Sequence, residues 1–361
     1  MKYMDEYRDG SVARGLSEQL HGISTRHVRL MEICGTHTMA IFKHGIRSLL
    51  PETIELVSGP GCPVCVTATR DIDRAIALTR HPEVILATFG DMIRVPGSRS
   101  SFRNEMAQGA DVRMVYSTFD ALNIARENPD RKVVFLGIGF ETTAPTVAAS
   151  VKAAQAEGLS NFQVLSVHKC LPPAMDALLS GGDLAIDGFI CPGHVTTIIG
   201  TEAYESVVRR FGVPCVVTGF EPLDILQGIL MLVRQIEEGV PRVEIQYRRA
   251  VSPEGNRAAL AVMEEVFEPY DAHWRGLGPI PRSGLDLREE FQERNAALAF
   301  DLDVPEVPEP PGCRCAEVLR GAVRPPECSL FRKACTPRNP IGPCMVSGEG
   351  TCAAYFKYHA S

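Results

Sequence analysis

Ile54-Glu-Leu-Val57, then Ser58-Gly-Pro-Gly-Cys62-Pro-Val-Cys65, then Asp71-Ile-Asp-Arg-Ala75-Ile-Ala-Leu78: this stretch holds an apolar strand, a turn bearing two cysteines and a segment of helical period. Ile72, Ala75 and Ile76 share one face of that segment. The same rhythm runs outward from it. Apolar, β-branched runs recur at Leu30–Ile33, Val84–Ala87, Val112–Tyr116, Val133–Gly137, Val164–Val167, Gly188–Cys191 and Cys215–Thr218. Most are apolar on consecutive positions, as strands buried on both faces are. Pro222–Ile236 is a second helix-period segment, with Leu223, Leu226, Ile229 and Val233 on one face. Strands alternating with helices predict an α/β fold built on parallel sheet. Four strands precede residue 120 and four lie between 130 and 220, which predicts two α/β lobes joined near Glu127–Arg131. The segment to about Val28 reads as a helix and its connection. After about Ala250 the pattern changes to a helix (Asn256–Val266), a Gly/Pro-rich piece (Gly276–Gly284) and a proline-rich spacer from Val304 to Gly312. Such a spacer is extended and semi-rigid, so it delivers the C-terminal residues to a defined place.

Those C-terminal residues form a cysteine-dense tail. Cys313, Cys315, Cys328, Cys335, Cys344 and Cys352 make up six of the 12 cysteines in the 361-residue chain. The length allows two or three domains with cores that need no disulfide staples. The net charge of −7, without a basic block, argues against a nucleic-acid partner. The N-terminal residues lack the apolar core of a signal peptide, and no run is long enough to cross a bilayer. The expected location is the cytoplasm, where clustered cysteines are metal ligands or redox groups rather than structural disulfides.

In parallel α/β sheets the working residues sit on loops at the carboxyl ends of strands. Cys34-Gly-Thr-His37 follows one expected strand, Gly59-Pro-Gly-Cys62-Pro-Val-Cys65 another, and Thr88-Phe-Gly-Asp91 a third. Gly139-Phe-Glu141-Thr142-Thr143, His168-Lys169 and Pro192-Gly-His194 follow three more. Their co-location predicts lobes that face a common cleft. Cys62 and Cys65 form a C-x-x-C dithiol at a helix start, where the thiolate is favoured; the alternative is two small residues packed at a turn. Cys34 is either a buried packing residue or a thiolate that His37 orients. Glu141 and Thr142 read as cleft groups or as a capping arrangement. His194 reads as a base or as a satisfied turn histidine. Cys170, Cys191 and Cys215 lack partner spacing and read as buried small residues.

In the tail, choosing Cys313, Cys328, Cys335 and Cys352 leaves Cys315 and Cys344 over. Four thiolates hold either a zinc ion or an iron–sulfur cluster. The tail lacks the C-x2-4-C pairs of a zinc ribbon, and its looser spacing suits a cubane better, with the two spare cysteines free to pair beside it.

Taken in order, Cys34-Gly-Thr-His-Thr, Gly59-Pro-Gly-Cys-Pro-Val-Cys65, Gly139-Phe-Glu-Thr-Thr143, Cys191-Pro-Gly-His-Val195 and Gly312-Cys-Arg-Cys…Cys328…Cys335…Gly342-Pro-Cys-Met-Val-Ser…Cys352 resemble the HypD family of NiFe-hydrogenase maturation factors, across nearly the whole chain. The resemblance implies an N-terminal helical segment (1–29), α/β domains at 30–127 and 128–250 around a cleft, and a C-terminal 4Fe–4S domain (251–361). It implies a scaffold, formed with HypC, on which an iron acquires two cyanides and one carbon monoxide. Cyanide would come from HypE, working with HypF, and the finished group would pass toward the hydrogenase large subunit. Cys34 would then be the iron ligand and Cys62 and Cys65 the cleft dithiol. Cys313, Cys328, Cys335 and Cys352 would hold the cubane. Cys315 and Cys344 would be the redox pair, by similarity to ferredoxin:thioredoxin reductase. His37, Glu141, Thr142 and His194 would serve proton transfer or hydrogen-bond a bound cyanide. Two other readings compete: a stand-alone cluster-dependent disulfide reductase, and a zinc-stabilised binding module.

Overall fold

The computed structural model describes residues 5–182, 185–305 and 307–359, so residues 1–4 of the N-terminal segment, Glu306 of the spacer and the last two residues of the tail lie outside the described residues. All eight expected strands form: β1 (Val28–Glu32), β2 (Ile54–Ser58), β3 (Val84–Thr88), β4 (Val112–Met114), β5 (Lys132–Gly137), β6 (Phe162–Ser166), β7 (Gly188–Pro192) and β8 (Cys215–Thr218). Three more were not legible as strands: β9 (Val243–Ile245), β10 (Phe267–Trp274) and β11 (Gly278–Leu287). The Gly/Pro-rich piece expected at Gly276–Gly284 is the turn and second strand of the antiparallel β10–β11 hairpin.

The chain is α/β, with two parallel sheets in the orders β2-β1-β7-β8-β9 and β4-β3-β5-β6. The strand count in each half of the chain is as expected, but the pairing cuts across the boundary expected at residue 127. β3 pairs with β5 (Val84↔Lys132 to Ala87↔Phe135), and β1 pairs with β7 (Leu30↔Gly188 to Glu32↔Ile190). The second sheet is an insertion between β2 and β7 of the first. A strand buried on both faces carries the same apolar pattern whichever neighbour it takes, so pattern alone does not assign it to a sheet.

Each sheet turns one face to a shared core and the other to its own helices. Met31, Val57, Phe189 and Val217 of the first sheet and Leu86, Val134, Leu136 and Leu165 of the second enter the shared core. On the far side of the first sheet, Leu30, Leu56, Ile190 and Val216 meet the helices Gly10–Ile23 and Pro222–Glu238. The latter buries Leu223, Leu226, Ile229 and Val233, as its period requires. On the far side of the second sheet, Val133, Phe135, Phe162 and Val164 meet the helices Thr118–Glu127, Ala144–Ala156 and Arg257–Val266. The helix Thr69–Leu78, with Ile72, Ala75 and Ile76 inward, carries the chain from one sheet to the other. Among the described residues no helix is long and apolar enough to cross a membrane.

Candidate functional site

Four loops at the carboxyl edge of the first sheet converge with the tail. After β1, Cys34 stands at the N-cap of the helix Gly35–Lys43. After β2, Cys62 stands at the N-cap of the short helix Pro63–Val66, which begins with proline. The two turns touch through backbone: the Gly35 amide donates to the Gly61 carbonyl at 3.0 Å. A Cβ on Gly61 would lie 2.2 Å from the Cys34 amide nitrogen, so only glycine permits this approach. Phe220, after β8, places its ring against both histidines, with centroids 4.7 Å from His37 and 4.0 Å from His194.

The Cys34 thiol is buried, with the amides of His37 and Thr36 near it. Burial, assisted by the nearby Glu349 carboxylate, pushes it up to about 12, so the free site holds a neutral thiol. Glu349 arrives from the tail and accepts the Thr36 hydroxyl at 2.6 Å. Nε2 of His37 lies 2.9 Å from the Gly219 carbonyl and 2.8 Å from Thr218 Oγ1. A carbonyl only accepts, so Nε2 carries the hydrogen and Nδ1 keeps a lone pair; Nδ1 is buried and has no partner. Burial lowers His37 to about 4, which keeps the ring neutral.

The Cys65 thiol lies 2.8 Å from the Cys62 sulfur. Cys344 of the tail is the other thiol neighbouring Cys65. Cys344 in turn contacts Cys315 and Cys352, and Cys315 contacts Cys313. One file of sulfurs therefore runs from the C-x-x-C turn into the tail. Burial pushes the Cys65 thiol well up, whereas hydrogen bonds from Cys315, Cys352 and Cys65 hold Cys344 well below the usual thiol range. All 12 cysteines are free thiols. Cys315 lies beside Cys313, Cys344 and Cys352. Cys335 accepts the Ile341 amide at 3.4 Å, and Cys328 lies 3.6 Å from the Gly312 carbonyl. Gly342 leaves open the space beside Cys313 and Cys315, where a Cβ would come within 2.3 Å of the Cys315 sulfur. Among the described residues no three His, Cys, Asp or Glu side chains already converge on a single metal position. The donors available are soft thiols with backbone amides beside them, the set an iron–sulfur cluster takes.

A profile described as the hydrogenase formation hypA family, HypD, matches residues 11–359. The chain belongs to the HypD family. It is 50% identical, over 99% of its own length and 97% of the relative, to a hydrogenase expression/formation protein HupD of Azotobacter chroococcum. It shares 50% identity, with the same coverage, with the hydrogenase maturation factor HypD of Azotobacter vinelandii. It shares 46%, over 99% and 98% of the two chains, with HypD of Escherichia coli strain K12.

In this HypD-family chain, Glu141 and Thr142 stand at the carboxyl edge of the second sheet, with the Glu141 carboxyl near the Cys170 thiol. Glu141 accepts the amide of Leu171, the first residue of the helix Leu171–Ser180, at 2.9 Å. Its other oxygen, Oε2, is buried without a partner, and burial raises the carboxyl to about 7. Thr142 is half-buried. His168 is fully buried, donating or accepting with Ser166 at 2.9 Å, and lowered by burial to about 3. Sequence reasoning missed Glu349, Phe220 and Glu32. Glu32 is two residues before Cys34, fully buried, accepts the Ser58 hydroxyl at 2.6 Å and is raised by burial to about 7. Glu32 was foreseeable as a carboxylate in an apolar strand; Glu349 and Phe220 carry no local signal. Cys191 and Cys215 are buried as expected, yet their thiols meet across β7 and β8.

Proposed function

We propose that this chain is the thiol-bearing scaffold on which the hydrogenase iron receives cyanide and carbon monoxide, acting with HypC and taking cyanide from HypE and HypF. The observation that carries this reading is the unbroken file of sulfurs from Cys62 through Cys65 and Cys344 to Cys315, beside Cys34. The iron is cargo. Low-spin iron with cyanide and carbonyl ligands favours soft sulfur donors, and Cys34 is the donor at the Gly61 contact. A neutral Cys34 thiol must lose its proton when iron binds, and the Glu349 carboxylate is the acceptor near it.

Release of cyanide from a thiocyanate is a two-electron reduction. The carbon–sulfur bond breaks, Cys62 and Cys65 close a disulfide, and their two protons leave on the donor thiol and on hydrogen cyanide. Cys344 then attacks Cys65 and restores the dithiol, with Cys315 completing the exchange. Cys313, Cys328, Cys335 and Cys352 would hold a 4Fe–4S cluster, which supplies electrons to the tail thiols when bound. In this reading the protein works in the cytoplasm, and the finished group passes to the hydrogenase large subunit. The Cys65–Cys344 contact also suits a stand-alone disulfide reductase, but that reading has no use for Cys34, His37 and Glu349. Infrared spectra of the chain isolated with HypC decide between them. Fe–CN and Fe–CO bands are expected in the wild type and absent in Cys34→Ala; bands unchanged in Cys34→Ala would remove Cys34 as the iron ligand.

A further inference from the structure

The tip of the β10–β11 hairpin is wedged among three pieces of the sulfur file. Its Trp274 forms an isolated antiparallel bridge with Thr67, two residues after Cys65. The Arg275 amide donates to the Val66 carbonyl at 2.8 Å, and its Nε donates to the Thr67 carbonyl at 3.2 Å. Gly276 lies against the backbone of Ala316, the residue after Cys315; a Cβ there would come within 2.6 Å of the Ala316 carbonyl oxygen. Nη1 of Arg275 pairs with Glu309, which also accepts the Thr69 hydroxyl at 3.0 Å. Glu309 lies in the spacer, four residues before Cys313. Arg275 is 4% exposed, and its remaining Nη2 is buried without a partner. One guanidinium thus ties the segment after Cys65 to the spacer that leads into the tail, while the next residue bears on the helix Cys315–Leu319.

We propose that Arg275 is a positioning residue that sets the Cys62–Cys65 pair within reach of Cys344. This rests on the thiol exchange of the proposed function. In that exchange Cys344 attacks Cys65, the Cys62–Cys65 bond breaks and Cys62 leaves as thiolate. Cys315 then attacks Cys344 and releases Cys65, so two electrons and two protons move from the tail pair to the C-x-x-C pair. Arg275 touches none of the sulfurs. It acts by fixing the two backbones that carry them, and reaction rates fall steeply when reacting atoms are misplaced by an ångström or so.

The test tracks one disulfide through the full-length chain, purified anaerobically. A limiting pulse of an aromatic disulfide oxidises the C-x-x-C pair, and acid quench with differential alkylation and peptide mapping gives the rate at which the bond moves to Cys315–Cys344. Arg275→Gln is expected to slow this transfer at least tenfold while the midpoint potentials of the two pairs and the melting temperature stay at wild-type values. Arg275→Lys, which keeps the pairing with Glu309, is expected to recover to within threefold. Glu309→Gln leaves Arg275 in place and is expected to slow transfer about threefold, and it serves if Arg275→Gln does not fold. Wild-type transfer in Arg275→Gln and in Glu309→Gln overturns the proposal, as does a slowing that only tracks a lower melting temperature and that lysine does not restore. Transfer that persists in Cys344→Ser would instead overturn the exchange step itself.

Discussion

Burial tunes the titrating residues of this molecule in opposite directions. Glu141 and Glu32 are raised from 4.5 to about 7, while His37 and His168 are lowered from 6.5 to about 4 and about 3. A raised carboxyl binds its proton more tightly in the folded state. Its contribution is complete below 4.5 and is lost as pH rises through about 7. The buried histidines run the other way: their contribution is present above 6.5 and is lost as pH falls toward 4. The two sets offset each other between pH 4.5 and 6.5, so single variants are needed to see either. Glu141→Gln keeps the acceptor for the Leu171 amide and removes the charge. It should match wild type at pH 4.5 and exceed it at pH 8 by up to about 3 kcal/mol, measured by urea unfolding. A constant difference across that range would show that burial does not raise the Glu141 carboxyl. At Cys34 the shift from 9.0 to about 12 leaves on the order of a thousandfold less thiolate at pH 8 than an ordinary cysteine has. Alkylation of Cys34 should be correspondingly slow in the metal-free chain, and Glu349→Gln should speed it; an unchanged rate in that variant would remove Glu349 from the site's electrostatics.

The elements matter through their ends. Two strands of one parallel sheet deliver Cys34 and Cys62 to adjacent helix starts, and Gly61 lets the two backbones meet. Gly61→Ala should therefore cost about 3 kcal/mol or more in chemical denaturation, because the added methyl meets backbone that has nowhere to shift. It should also part the Cys62–Cys65 turn from Cys34. Stability within about 0.5 kcal/mol of wild type, the usual range for a harmless substitution, would mean that the turns yield easily. The tail helix Thr351–Tyr358 packs on the Cys34 helix, with the rings of Tyr355 and Phe42 4.4 Å apart, so the last element of the chain covers the first functional one.

Across the whole molecule, the two sheets are joined by more than apolar contact. Lys169, at the edge of the second sheet and 1% exposed, pairs at 3.3 Å with Asp71 on the helix that connects the sheets. Asp71→Ala strands a buried ammonium and should cost roughly 3–5 kcal/mol, whereas Asp71→Leu with Lys169→Met should cost far less. Equal losses in the single and double variants, measured by urea unfolding, would show that the pair's charge is already solvated.

The eight strands and the helices Thr69–Leu78 and Pro222–Glu238 were legible because their apolar periods register burial directly, residue by residue. So were the loops that carry Cys34, Cys62, Cys65 and His194, since strand ends in an α/β chain mark where chemistry is placed. The sequence by itself determined the α/β class, those turns and the family. Only the tertiary structure decided that β3 to β6 form a separate inserted sheet, that Glu141 accepts the first amide of the helix Leu171–Ser180, and that Glu349, Phe220 and Arg275 attend the site. Strand partners, and contacts between residues hundreds of positions apart, depend on how buried faces stack in space, and a local pattern of apolar and polar residues carries no record of which face meets which.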